Sequence, residues 1–328
     1  MWFLAADIGG TNSRLLAIDT QVPEKEYNEV YSSENYPDII PIIEKFRKNN
    51  GIKKIHSACF AVAGPVQQGK AKITNLPWQL EEETIEKKSG IGKLSLVNDF
   101  IGVAHGIPVL TGNDYITLQA AEPDPHGTIG ILGAGTGLGQ AILAWHNGRR
   151  ISIASEGGHV DFAPRDDEEI ELLKYWQSRL GRVSYESFLS GPGLARLFVF
   201  YTQYLKQQPD DKFDSRIREE DSAAVIVEYA QKYSHPVAQA ALKRFIKIYA
   251  AQAANLALTC KATGGIYLAG GMAPRIIKML QSDDFINTFN DKHPMQALMA
   301  GIPVRVIMNT NVGLLGALEI AKTQIESD

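Results

Sequence analysis

DIGGTNSR, residues 7–14, lies between the apolar run at residues 2–6 and the alternating stretch Arg14, Leu15, Leu16, Ala17, Ile18. Two such flanks around a glycine pair predict a strand, a tight turn and a second strand. Gly9 and Gly10 let the backbone approach a phosphate with no Cβ in the way, and Thr11 and Asn12 add polar side-chain atoms. Asp7 would then face a magnesium ion. A plain hairpin accounts for the same residues, but a second turn of this kind recurs at residues 133–139, GAGTGLG, again between apolar runs. The pair points to two facing phosphate loops.

Composition limits what such loops can serve. The 328 residues are 45% hydrophobic and 21% charged, which predicts two globular domains with a cleft between them. A net charge of −4 carries no polyanion-binding signature, so neither nucleic acid nor an anionic membrane is an expected partner. No run reaches the ~20 apolar residues of a membrane span, and no basic region precedes the first strand. The expectation is a soluble cytoplasmic protein. Cys59 and Cys260 lie far apart in apolar or helical surroundings, as reduced core thiols do, and cannot form a cysteine-rich zinc site.

Along the chain, residues 26–31 read as a third strand, and Ile39, Ile43 and Phe46 fall at helical spacing. Residues 55–62 read as a buried strand. GPVQQGKA, beginning at Gly64, nearly matches a P-loop, yet Ala71 replaces the magnesium-holding hydroxyl and residues 70–74 alternate like a strand. A hairpin, ended by TNLPW at residues 74–78, is the better account. A short acidic helix then closes near Gly90, and the strand at residues 94–97 runs directly into Asn98 and Asp99. A carboxylate at a strand's carboxyl end is where α/β proteins place chemistry, and either residue also suits a helix cap.

After a crossover at residues 108–113, the strand, glycine turn and strand recur, so the second half repeats the first. Leu138 stands where a dinucleotide fingerprint needs its last glycine, which excludes a Rossmann reading. In SEGGHVDFAP, Glu156 accepts hydrogen bonds and His159 donates or accepts, with Gly157 and Gly158 permitting a tight loop that aims both at one neutral ligand. A structural histidine is the plainer alternative; Glu156 beside it and Glu186 farther on favour a sugar. Residues 166–180 predict an amphipathic helix whose acids form a solvated face. Ser184 would cap a short helix bearing Glu186, Gly191-Pro192-Gly193 would stop it, and residues 206–221 would be an exposed connection. Long helices are expected at 222–233 and 236–262, the latter with Phe245, Ile248, Tyr249, Gln252 and Leu256 along one face. A strand at 266–269 before Gly270-Gly271, another at 304–308 and a last helix at 313–325 complete the reading.

DIGGTNSR, LVNDF, LGAGTGLGQA, SEGGHVDFAP, SYESFLSGPG, YLAGGMAPR and NVGLLGA, spread from residue 6 to residue 317, occur in the order found in bacterial glucokinases. The chain resembles that group of the hexokinase-like, actin-like ATPase superfamily. It lacks the zinc-binding cluster of the related repressor, open-reading-frame and kinase group. The resemblance implies an α/β fold of two domains with duplicated ribonuclease H-like cores and an inter-domain cleft, residues 1–109 with 310–328 against 110–309. It further implies ATP and Mg²⁺ as cofactors, glucose as substrate, a homodimer, and formation of glucose 6-phosphate at the start of glycolysis by an ATP:hexose 6-phosphotransferase. Asp99 would be the catalytic base. Asn98, Glu156, His159 and Glu186 would bind the sugar; Asp7, Gly9, Gly10, Thr11, Asn12, Gly133, Gly135, Thr136 and Gly137 the phosphate end of ATP; Gly270 and Gly271 its adenosine. No tight protein metal site is expected, with magnesium carried by ATP near Asp7. A kinase for another hexose or aminosugar keeps the phosphate features. A sugar-sensing regulator is the other class, against which stand an intact Asp99 and a chain that starts almost at its first strand.

Overall fold

The structure, a computed structural model, describes residues 1–22, 24–73, 76–207 and 211–326. The chain divides into two units, Met1–Asp114 with Asn309–Asp328, and Tyr115–Met308.

In the first unit, β1 (Trp2–Ile8), β2 (Asn12–Asp19) and β3 (Glu26–Ser32) form an antiparallel meander in which Asp7 stands opposite Arg14. Helix α1 (Ile40–Asn49) leads to β4 (Ser57–Val62), which joins β1 in parallel. A small sheet of β5 (Val66–Gln67), β6 (Lys70–Lys72) and β7 (Gln79–Glu81) precedes α2 (Glu82–Ser89). Then β8 (Leu94–Asn98) joins β4 in parallel, giving the order β3-β2-β1-β4-β8, and runs into α3 (Asp99–Gly106). The GPVQQGKA stretch is thus a hairpin, with Gln68 and Gly69 at φ 50° and 70° in its two-residue turn. Of TNLPW, Thr74 and Asn75 lie outside the described residues, while Trp78 is buried and donates its Nε1–H to the Tyr36 carbonyl at 3.1 Å.

Both faces of this sheet are covered. Leu4, Ala6 and Ile8 pack with Ile43 and Phe46 of α1 and Ile85 of α2, whereas Phe3 and Ala5 pack with Leu314, Ala317 and Leu318 of the C-terminal helix, Val312–Glu326. A strand covered on both faces must be apolar throughout, hence SACFAV in β4, buried at every residue. Helix α3 meets the C-terminal helix backbone to backbone: a Cβ on Gly316 would lie 1.8 Å from the Gly102 carbonyl oxygen. Only glycine fits that crossing, which fixes the helix whose first residue is Asp99.

The second unit repeats the plan. β9 (Tyr115–Gln119), β10 (Ile129–Ala134), β11 (Leu138–His146), β12 (Arg149–Ser155), β13 (Gly265–Ala269) and β14 (Val304–Ile307) form a sheet ordered β12-β11-β10-β13-β14-β9. Its first five positions are again an antiparallel triplet followed by two parallel strands. The core gathers around α8 (Pro236–Cys260), whose Phe245, Ile248, Tyr249, Gln252 and Leu256 are all buried.

Several expectations change here. Helix α4 (Asp167–Leu180) does not present all its acids to water: Glu169 is fully buried, accepting from Arg165 and from Arg244 of α8 at 2.7 and 2.9 Å. Asp166 caps that helix and also pairs with Arg244. Gly191-Pro192-Gly193 stops nothing; it is the first turn of α5 (Gly191–Tyr204), capped by Ser190, with proline at a position that needs no N–H. The charged stretch after residue 206 contains α6 (Asp211–Glu219), held by buried Phe213 stacked on Tyr229 of α7 (Ser222–Lys232) at 4.0 Å. Strand β9 and the short helices α9 (Met272–Arg275), α10 (Ile277–Leu280), α11 (Asp283–Asn290) and α12 (Gln296–Ala300) have no counterpart in the sequence reading.

Candidate active site

In the first unit the DIGGTNSR turn is tied down from behind. Gly9 N–H donates to the Asn12 carbonyl at 2.9 Å, Ser33 N–H to the Thr11 carbonyl at 2.8 Å, and Ser33 Oγ–H to the Gly9 carbonyl at 3.1 Å. Buried Ser13 supports Ser33 at 2.9 Å. With these carbonyls engaged, what the Gly9–Asn12 turn has left to offer a ligand is its amide edge, the complement of a phosphate. Asp7 is the last residue but one of the adjoining strand; burial raises its pKa, offset in part by the Arg14 guanidinium, which itself donates to Asn311 at 3.1 Å.

Asn98 closes β8 and caps α3, accepting from Phe100 N–H at 2.9 Å and donating to the Gly64 carbonyl at 3.1 Å. Capping and a place at the site are therefore compatible, and the cap holds the next residue in position. Asp99 is half-buried and accepts from Phe100 N–H at 3.0 Å. Its pKa is pushed up to about 6, first by burial and then by the charge of Asp7. The turn and Asp7 at the end of β1, and Asn98 and Asp99 at the end of β8, thus lie at the same edge of one sheet with β4 between them, and Asp99 is a carboxylate poised to take a proton near neutrality.

In the second unit GAGTGLG joins β10 to β11. Gly133 lies inside β10, paired with Gly139 and Ala269, so the turn proper is Gly135, Thr136 and Gly137. Glu186 sits in a one-turn helix, Tyr185–Ser187, capped reciprocally by Ser184 and Ser187, as expected. Its carboxylate accepts from Leu138 N–H at 2.9 Å and lies 3.7 Å from His159 Nδ1. The EGGH loop closes through His159 N–H to the Glu156 carbonyl at 2.9 Å, and Arg182 donates to the His159 carbonyl at 2.6 Å. Glu156 and His159 are exposed, free to meet a ligand. Beneath the loop, Gln252 of α8 donates to the Gly157 carbonyl and to Gln140 at 3.4 Å each, and Asn255 Nδ2–H donates to the Tyr185 hydroxyl at 2.9 Å. One helix face so supports both segments.

Gly271 lines a cavity of about 600 Å³ together with Gly135, Thr136, Pro192, Asp221 and Arg275. Gly270, at φ +80°, brings the chain against the Ala134 backbone beside it. Sequence reasoning missed Asp221 and Arg275: the aspartate caps α7 and accepts from Arg275 at 3.1 Å. The signal was present, a strand, a glycine pair and a basic residue one helical turn on, but the ion pair depends on where the start of α7 comes to lie in the fold, which the sequence does not give. Among the described residues no group of three or more His, Cys, Asp or Glu side chains is arranged to hold a metal, and no helix is long and apolar enough to cross a membrane.

Two sheets sharing a five-strand order, each with a glycine turn in its antiparallel part, β1 to β2 in one and β10 to β11 in the other, place the chain among the sugar kinases of the actin-like ATPase fold, with duplicated ribonuclease H-like cores. Residues 4–324 match the glucokinase family, and the chain belongs to it. A glucokinase of Synechocystis sp. is 38% identical over 341 residues, covering 96% of each chain. The crystal structure of a glucokinase from an Antarctic psychrotroph has a TM-score of 0.87 at 29% identity, covering 98% of this chain and 99% of its own. A ROK family glucokinase from Streptomyces griseus, in complex with glucose and AMPPNP, shares the fold at TM-score 0.63 and 18% identity, covering 98% of this chain and 100% of its own.

Proposed function

We propose that the protein transfers the γ-phosphoryl group of ATP to O6 of glucose with Asp99 as general base. The observation that carries this reading is Asp99 itself, the first residue of a capped helix at a strand end, with its pKa near 6. As O6 attacks phosphorus and the bond to ADP breaks, the O6 proton passes to the Asp99 carboxylate. Such a transfer depends on positioning and charge stabilisation more than on covalent help. Asn98, Glu156, His159 and Glu186 orient the ring hydroxyls. Gly9, Gly10, Thr11 and Asn12 of the first unit and Gly135, Thr136 and Gly137 of the second hold phosphates, with Gly133 shaping the strand behind. Gly270 and Gly271 take the adenosine, flanked by Asp221 and Arg275.

Magnesium suits the donor set. Burial raises the cost of ionising both Asp7 and Asp99, the charge of Asp7 adds to that of Asp99, and Arg14 is the cation beside Asp7; a hard cation compensates such carboxylates. Asp7 would hold it through water, and the ion, when bound with ATP, neutralises charge developing on the transferred group. We also read the protein as a cytoplasmic homodimer, in line with the family resemblance and with Cys59 as a buried free thiol.

The test is Asp99→Asn. Its kcat should fall roughly 10²–10⁴-fold, the usual contribution of general-base catalysis, while calorimetric glucose affinity stays near that of the parent. Near-parental turnover would remove Asp99 from the mechanism.

A further inference from the structure

Glu186 meets two loops at once. Its Oε2 accepts Leu138 N–H at 2.9 Å, at the end of the phosphate turn, while its Oε1 faces His159 Nδ1 at 3.7 Å in the EGGH loop. The carboxylate presses on the turn so closely that a Cβ on Gly137 would come within 2.6 Å of Oε2. Behind it, Ser190 Oγ–H donates to the Glu186 carbonyl at 2.9 Å and Gly191 N–H to the Gly135 carbonyl at 2.8 Å. The segment carrying Glu186 is therefore stitched to the turn on both sides. Yet the Glu186 side chain remains 31% exposed, so the carboxylate is not sealed off from a ligand.

We infer that Glu186 is a positioning residue for the phosphate turn as well as a sugar contact, so that sugar and phosphate are read through one carboxylate. The inference rests on the sugar role proposed above. One oxygen is committed to Leu138 N–H by a charge-assisted bond, which fixes that peptide and the Gly135–Gly137 peptides before it. The other oxygen is thereby pre-aimed, and a sugar hydroxyl donating to it meets a group already ordered. A shift of the turn moves the sugar contact, and by linkage the effect runs both ways.

Two comparisons test this, both with one ligand present at a time. In Gly137→Ala the new methyl meets only the far end of the Glu186 side chain, so the glutamate gives way and the turn does not. Glucose affinity without nucleotide should drop roughly tenfold, the scale of one hydrogen bond to a charged group, in a protein whose thermal melt shows it folded. The second comparison sets Glu186→Ala against Glu186→Gln. Both remove the charge, and only glutamine keeps an acceptor for Leu138 N–H. AMPPNP without sugar should bind the alanine variant about 3–10-fold more weakly than the glutamine variant, as for a neutral hydrogen bond. Parental glucose affinity in folded Gly137→Ala, or equal AMPPNP affinity in the two Glu186 variants, would overturn the inference. A parent protein that fails to bind glucose would instead overturn the function on which it rests.

Discussion

Burial of the Asp99 carboxyl has a cost in stability, which in the role proposed for it would serve chemistry. Its carboxyl titrates near 6 in the fold against an ordinary value of 3.8. The folded protein therefore binds this proton more tightly than the unfolded chain between about pH 4 and pH 6, and stability contributed by the group is lost as pH rises through that window. At neutral pH the ionised form is held at a cost on the order of 1–3 kcal/mol. Two outcomes follow from that sign. The rate kcat/KM should decline as pH is lowered through about 6, where the base becomes protonated. Asp99→Asn should raise the melting temperature at pH 7.5 and lose that advantage near pH 4; a flat rate profile between pH 5 and 7, with no stabilisation, would contradict both. At this scale the sequence is informative where a polar pair closes an apolar strand, as Asn98 and Asp99 close β8. It is silent on Glu186 and Leu138, 48 residues apart, because their bond depends on the path of two loops.

Elements were legible where one face is uniformly apolar. The strands β1, β4, β10 and β13 and the helix α8 are such cases, since burial on one or both faces writes itself into composition. Helix α6 was not, because its largest apolar anchor is one phenylalanine within a charged stretch, and Phe213 finds its aromatic partners, Tyr229 and Phe198, only in tertiary contact. Glu169 misled for a related reason: an acid in a first helical turn usually faces water, and its burial here is compensated by Arg165 and by Arg244, 75 residues on, which local sequence does not reveal. Removing that cation should reveal the dependence. Arg244→Ala should cost about 3–5 kcal/mol in chemical denaturation by leaving the Glu169 carboxylate buried with Arg165 alone. Glu169→Gln in the same background should recover part of the loss. A loss below about 1 kcal/mol, in the range of exposed pairs, would mean that Arg244 is held as a surface ion pair.

Across the whole molecule, duplication is what the sequence conveys best. Two glycine turns at matching places predict two sheets of matching order, and β3-β2-β1-β4-β8 and β12-β11-β10-β13-β14 have it. The chain ends in the unit where it began, its last helix covering the face of β1 that carries Phe3 and Ala5. Under the proposed function, substrate choice would reside in few residues of this frame: the phosphate turns would serve any sugar kinase of the fold, while Glu156, His159 and Glu186 would have to fit one ring. The most direct measurement is ADP formation by the purified protein across a panel of hexoses and aminosugars with ATP and magnesium. Glucose should give the highest kcat/KM, with one glucose 6-phosphate formed for each ADP. Preference for another sugar, or no ADP formation above background with glucose, would contradict the account.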